Sequence, residues 1–358
     1  MRSGFGGQGA ALGEIGNRDI GSLKIGCTGG GATHSDAAIP DIATKVRMVK
    51  DSGAFDYIDR TPPDDEFRAL LKASESCDLP VLAGGWFYVR GRDEALFEQN
   101  VVKARLLGSR VHNVQLLTCH EDGHVLTDGE VADFYLWAHD FAMRHGVVPC
   151  FEVHVNMWSE HFGRVARVAA SVEARGVPFR MTLDHSHVVF KIDNPAEQDV
   201  QNMRADVESG ALVLEPGREG NGAQSWIEAG WVHHAHARAA IPANPKNIRA
   251  RHPDGSFGRG IQYPFVEPAP GAYHAEWDGE KLEPWKRTMR DLLRHRARDP
   301  NSVLGQISCE HIPNIDYGAG QGYSIFDDNV ACARWLRAEW VAARAQASGH
   351  EKTGEKNT

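Results

Sequence analysis

The sequence predicts a single (β/α)8 TIM barrel with a long insertion after its seventh strand. Three observations predict it. The chain has 358 residues, 42% hydrophobic and 24% charged, enough for one large α/β core. Short apolar runs alternate eight times with amphipathic stretches. Four successive late strands each end in a carboxylate or an imidazole. The hydrophobic period switches from 2 to 3.6 at each step, as parallel strands joined by crossover helices require.

LKIGC is followed by PDIATKVRMVKDSG, FDYID by PDDEFRALLKAS, LPVLAGG by DEALFEQNVVKARLLG, and RVHNVQLLT by a fourth helix. In that helix Val131, Phe134, Tyr135, Ala138, Phe141, Ala142 and His145 recur at i, i+3, i+4 and i+7, giving one apolar face. The second half reads VPCFEVHV, VPFRMTLDHSH, GWVHHAHAR and VLGQISCEH as strands, with helices near 160–175, 195–209, 281–296 and 327–345. The Gly-rich residues 1–22 are expected to be a flexible segment, 23–345 the barrel, and the small and charged residues 346–358 a disordered tail. Residues 239–276 are too long and too rich in Pro and Gly for an ordinary connection, and are expected to form a lid over the site.

The net charge of −9 and the lack of a Lys/Arg block argue against nucleic acid as a partner. No stretch of about 18 apolar residues suggests a membrane span, and no export signal is visible, so a cytoplasmic protein is expected. Six cysteines without paired spacing read as reduced thiols.

Alternation along CFEVHVN puts Glu152, His154 and Asn156 on one face. MTLDHSH brings Asp184 and His187 together at a strand-to-loop bend, with His185 facing elsewhere. WVHHAHAR puts His234, His236 and Arg238 on one face, and Glu310 ends the eighth strand. Glu152, Asp184, His236 and Glu310 therefore form a candidate metal set, with His234 an alternative to His236. Three carboxylates and one imidazole without a thiolate suit one divalent ion, Mn²⁺ first, with Mg²⁺, Co²⁺ or Zn²⁺ as alternatives. His154 reads as a ligand, an orienting residue or a catalytic base. Trp86 and Trp158 follow strand ends, where they either stack on a sugar or pack in the core. CHEDGH at 119–124 is expected to be a solvated loop outside the metal set.

On Glu152, the LDHSH run with Asp184 and His187, His236 and Glu310, the chain resembles the xylose isomerase-like TIM-barrel superfamily, whose members include sugar-phosphate isomerases and 3-epimerases. The resemblance implies a metal-dependent sugar isomerase or epimerase that moves a proton next to a carbonyl through an enediolate. It further implies that Glu152 and Glu310 serve as ligands and as the acid/base pair, while His187 and Arg238 hold substrate oxygens. The Glu152–His154 pair, the HHAHAR strand and the insertion depart from the compact epimerases and favour a larger substrate. A lyase acting on a keto-sugar or a 3-keto C-glycoside is therefore the close alternative, and a non-catalytic sugar-binding subunit the distant one. The implied partners are a small sugar or glycoside and a second copy of the chain, or a smaller partner subunit if the deglycosidase branch applies.

Overall fold

The computed structural model describes residues 23–354, so the expectations for 1–22 and for the last residues of the tail, 355–358, lie outside the described residues. Eight parallel strands close into a barrel in the order β1, β10, β7, β6, β5, β4, β3, β2. They are β1 (Lys24–Thr28), β2 (Tyr57–Asp59), β3 (Val81–Tyr88), β4 (Val111–Leu116), β5 (Val148–Glu152), β6 (Met181–Asp184), β7 (Val232–Ala237) and β10 (Gln306–Cys309).

Around them lie α1 (Ile42–Asp51), α2 (Phe67–Cys77), α3 (Glu94–Leu107), α4 (Asp128–Arg144), α5 (Gly163–Glu173), α10 (Glu283–Arg298) and α11 (Ile325–Gly354). The connection from β6 to β7 uses four short helices, α6 (Ser186–Val189), α7 (Pro195–Asp199), α8 (Arg204–Ser209) and α9 (Gly222–Glu228). The last helix runs on past 345, through part of the segment expected to be a tail.

Local chemistry fixes the helix ends. Thr127 caps α4 in a reciprocal capping box with Glu130, and Gly108, at φ +84°, closes α3 in a conformation that costs glycine little. The apolar face read for α4 is the buried one: Val131, Phe134, Tyr135, Ala138 and Ala142 pack inward. His145 instead forms the C-cap. The main core lies between strands and helices, while Tyr57, Ala83, Val111 and Cys150 from four adjacent strands form a separate small cluster. Tyr57 fits because Gly26 faces it: a Cβ there would stand 2.3 Å from the Tyr57 ring.

Residues 239–276 follow β7 and carry an antiparallel pair, β8 (Asn247–Arg251) and β9 (Phe257–Gly258). The segment is tied down. Gly260 N and Ile261 N donate to Asp316 O at 3.1 and 2.9 Å, and Arg259 pairs with Glu160 at 2.6 Å and Glu197 at 2.5 Å. A Cβ on Gly258 would lie 1.9 Å from Ile315 O, so only glycine allows this approach. No residue of 239–276 lines the cavity described below, in contrast to the expected lid. The segment instead braces the loop at 312–317, which does line it. Among the described residues no helix is long and apolar enough to cross a membrane.

Candidate metal centre

Barrel register decides which side chains meet. His236 of β7 lies opposite Asp184 of β6 and Ser308 of β10, so the three share one level near the carboxyl ends of the strands. His234 pairs with Thr182 and Gln306, two residues lower. That offset separates the two histidines chemically. His236 Nδ1 lies 2.9 Å from Glu152 Oε1 and 2.8 Å from Glu310 Oε2, whereas His234 Nε2 meets Ser308 Oγ at 3.1 Å. His234 does not line the cavity, contrary to its expected contact with substrate.

Glu152, Asp184, His236 and Glu310 each offer a ligand atom within 4.8 Å of the others. Glu152 is the last residue of β5, and its Oε2 accepts from Asn113 Nδ2 at 2.7 Å. Asp184 ends β6, where its Oδ1 accepts from Ser186 N and Oγ at 3.0 and 2.6 Å and its Oδ2 is left facing the cluster. Arg238, two residues after His236, stacks 4.2 Å from the Tyr317 ring centroid. Its guanidinium reaches Glu310 Oε2 at 2.6 Å and Asp184 Oδ2 at 3.1 Å.

The centre is built around negative charge. Burial opposes ionisation of Asp184, yet Arg238 and His187 hold its carboxyl well below the usual range. Burial likewise disfavours a charged His236, but Glu310 and Glu152 raise it well above an ordinary imidazole. By contrast burial pushes His187 down to about 4 and His154 to about 3, so both are neutral at neutral pH.

The donor set fits a hard or borderline divalent ion. Ligand atoms around an octahedral ion at about 2.1 Å are separated by roughly 3.0 Å, close to the His236–Glu152 and His236–Glu310 spacings. Asp184 Oδ2 and His236 Nε2 are buried without an aligned hydrogen-bond partner. The second of these faces Asp59 Oδ2 at 3.6 Å, a carboxylate placed to orient the ring.

A cavity of about 410 Å³ opens above the cluster, lined by Asp59, Asn113, Gln115, His154, His236, Arg238 and Glu310 below and by Trp86, Phe87, Ile312 and Tyr317 near the mouth. Of the residues expected to contact substrate, Trp86 and Arg238 line it. Trp158 does not: it is 1% exposed and packs in the main core, because the chain dips into a 3-10 turn at Trp158–Glu160 directly after β5. His187 is also fully buried, its Nε2 lying 3.2 Å from both Asp184 Oδ2 and Arg238 Nη1, so it supports those groups and does not line the cavity.

His154 lines the cavity although β5 has already ended at Glu152. Its Nδ1 lies 2.6 Å from Val155 O and its Nε2 3.2 Å from Tyr317 OH. Asn156 turns away at φ +64°, so the alternation read along this strand stops short of it. Asp59, Asn113 and Tyr317 were not singled out in the sequence. The first two sit at inward positions of FDYID and RVHNVQLLT, an alternation that could have marked them.

The barrel superposes on several proteins of known structure. D-allulose 3-epimerase from Methylomonas sp. matches at 13% identity over 88% of this chain and 98% of that one, with a TM-score of 0.51. L-ribulose 3-epimerase matches at 14% identity over 93% and 98%, also at 0.51. A xylose isomerase-like TIM barrel protein from Mycobacterium smegmatis, in complex with magnesium, matches at 12% identity over 92% and 100%, again at 0.51. The chain shares its closed (β/α)8 barrel fold with these proteins. At these identities the likeness is one of fold, and no family model and no curated protein matches the sequence.

Proposed function

We propose that the chain is a divalent-metal-dependent enzyme that isomerises or epimerises a sugar by moving a proton next to a carbonyl. The observation that carries this reading is the convergence of Glu152, Asp184, His236 and Glu310 within 4.8 Å, with His236 and Glu310 lining a cavity of sugar size and Glu152 and Asp184 buried beside them. Epimerases of two ketohexose or ketopentose sugars and a magnesium-bound protein share the fold, which supports it.

Those four residues would hold the ion, Mn²⁺ ahead of Mg²⁺, Co²⁺ or Zn²⁺. When bound, it would supply Lewis acidity to a carbonyl and its neighbouring hydroxyl. Glu152, held by Asn113 through Oε2, would be the carboxylate that takes the carbon-bound proton. Glu310 serves as its partner, and the guanidinium of Arg238 binds a substrate oxygen beside it. His154, neutral and held by Val155 O, offers Nε2 together with Tyr317 OH to a sugar hydroxyl.

The test is deuterium incorporation from solvent into ketoses and aldoses, alongside elemental analysis of the native protein and of Asp184→Ala. About one ion per chain, lost in the variant, and exchange without elimination are expected. No bound ion after Mn²⁺ is supplied, and no exchange, would overturn the reading.

A second reading rests on the cavity mouth. Phe87 is 50% exposed there, beside half-buried Trp86, an apolar lip with no evident use for a free monosaccharide. It favours a substrate with an apolar group attached, from which the same proton abstraction would expel a leaving group as a lyase does. Loss of water or an aglycone in the exchange assay separates the two. Phe87→Ala should raise KM for such a glycoside by up to about tenfold with kcat little changed, the worth of one aromatic contact. An unchanged KM would remove the mouth from substrate recognition.

A further inference from the structure

A second set of metal-ligating side chains lies on the loop between β4 and α4, outside the cavity. We propose that His120, Asp122 and His124 form a separate surface site for a borderline divalent cation such as Zn²⁺, with Glu130 as the carboxylate that orients His124. His120 Nδ1 and His124 Nδ1 both point at Asp122 Oδ1, at 3.2 and 2.6 Å. Two imidazoles and one carboxylate suit Zn²⁺, Ni²⁺ or Cu²⁺ better than Mg²⁺ or Ca²⁺.

The arrangement is built by the backbone. His120 N donates to His124 O at 2.9 Å and Gly123 N to His120 O at 3.0 Å, with Gly123 at φ +92° making the turn. This brings the two rings into a stack 4.8 Å apart at 21°. Gly91 leaves space for His120: a Cβ there would lie 2.5 Å from its Nε2. Asp122 N donates to His120 Nδ1 at 3.3 Å, so that nitrogen presents a lone pair toward the turn, next to the carboxylate oxygen. A cation between them relieves that opposition.

The other nitrogen of His124 is also provided for. Its Nε2 lies 2.9 Å from Glu130 Oε1, while Glu130 Oε2 accepts from Thr127 N and Oγ1 at 2.8 and 2.7 Å. A carboxylate on the far nitrogen of a ligating histidine fixes its tautomer and ring plane, as metal sites require. Here the helix capping box holds that carboxylate in place.

The experiment counts Zn²⁺ bound by the full chain, by isothermal titration and by elemental analysis after desalting. It compares the native protein, the His120→Ala/His124→Ala pair, Glu130→Gln and Cys119→Ser. The double variant should lose one equivalent and keep any bound at the barrel centre, with its melting temperature in chelator unchanged. Glu130→Gln should keep the equivalent with affinity weakened about 10- to 100-fold. Should the double variant fold poorly, His120→Asn alone carries the same expectation. Equal Zn²⁺ binding by native and histidine variants overturns the proposal, as does loss of the equivalent in Cys119→Ser alone, which would assign it to the neighbouring thiol.

Discussion

Glu152→Gln is expected to lower the rate of solvent-proton exchange by about 10²- to 10⁴-fold, the contribution of a positioned general base. Glutamine keeps the shape and can still accept from Asn113, whose Nδ2 lies 2.7 Å from Glu152 Oε2. What it cannot do is take a proton. Metal content read on the same sample divides the role in two: a retained ion with lost exchange assigns proton transfer to Glu152, and a lost ion assigns it chiefly to holding the cation. Glu310→Gln is the companion variant, because Glu310 faces His236 and Arg238 and is the residue proposed as the partner acid. Wild-type exchange in Glu152→Gln would remove it from the chemistry and leave His154 as the nearest base on that wall.

The barrel was legible because each strand–helix unit repeats the same change of hydrophobic period, and the rim was legible because carboxylates and imidazoles recur at strand ends. Alternation alone put His234 and His236 on one face. Only the strand register shows that they lie on different levels, with His236 among Glu152 and Glu310 and His234 beneath them against Ser308. Asp59 ends β2 and Asn113 lies midway along β4, and the alternation that points both inward does not by itself tell a site residue from a core one.

Trp158 takes the core alternative for a different reason. Sequence adjacency to a strand end does not imply adjacency to the cavity when the chain folds straight back into the core. Tyr317 and the insertion share one cause. The loop at 312–317 reaches the cavity because residues 239–276 brace it, a contact between segments more than fifty residues apart that no local pattern encodes.

Arg238→Met is expected to make folding stability depend on the divalent ion. Arg238 is 1% exposed, and its guanidinium faces Asp184 Oδ2 and Glu310 Oε2, two of the oxygens assigned to the cation. Methionine keeps much of the volume and the packing against Tyr317 but removes the charge. With no ion bound, buried Asp184 and partly buried Glu310 then lose the guanidinium that lies between them, which costs up to about 3–5 kcal/mol. The sign with pH follows from Asp184. Its folded-state pKa lies below its unfolded value because Arg238 and His187 outweigh burial, so this stabilisation is present above the unfolded pKa and lost as pH falls through the folded one. In chelator, the native protein should therefore lose stability on acidification more steeply than the variant, which has already lost the pairing. Because the ion supplies the counter-charge the variant lacks, Mn²⁺ should stabilise Arg238→Met by more than it stabilises the native chain, for which an ion at about a hundred times its Kd adds about 2.7 kcal/mol. Denaturant melts with and without Mn²⁺ measure this. A variant equally destabilised in both would show that the arginine and the ion do not share these carboxylates, and a variant as stable as the native chain in chelator would show that the guanidinium is not their counter-charge.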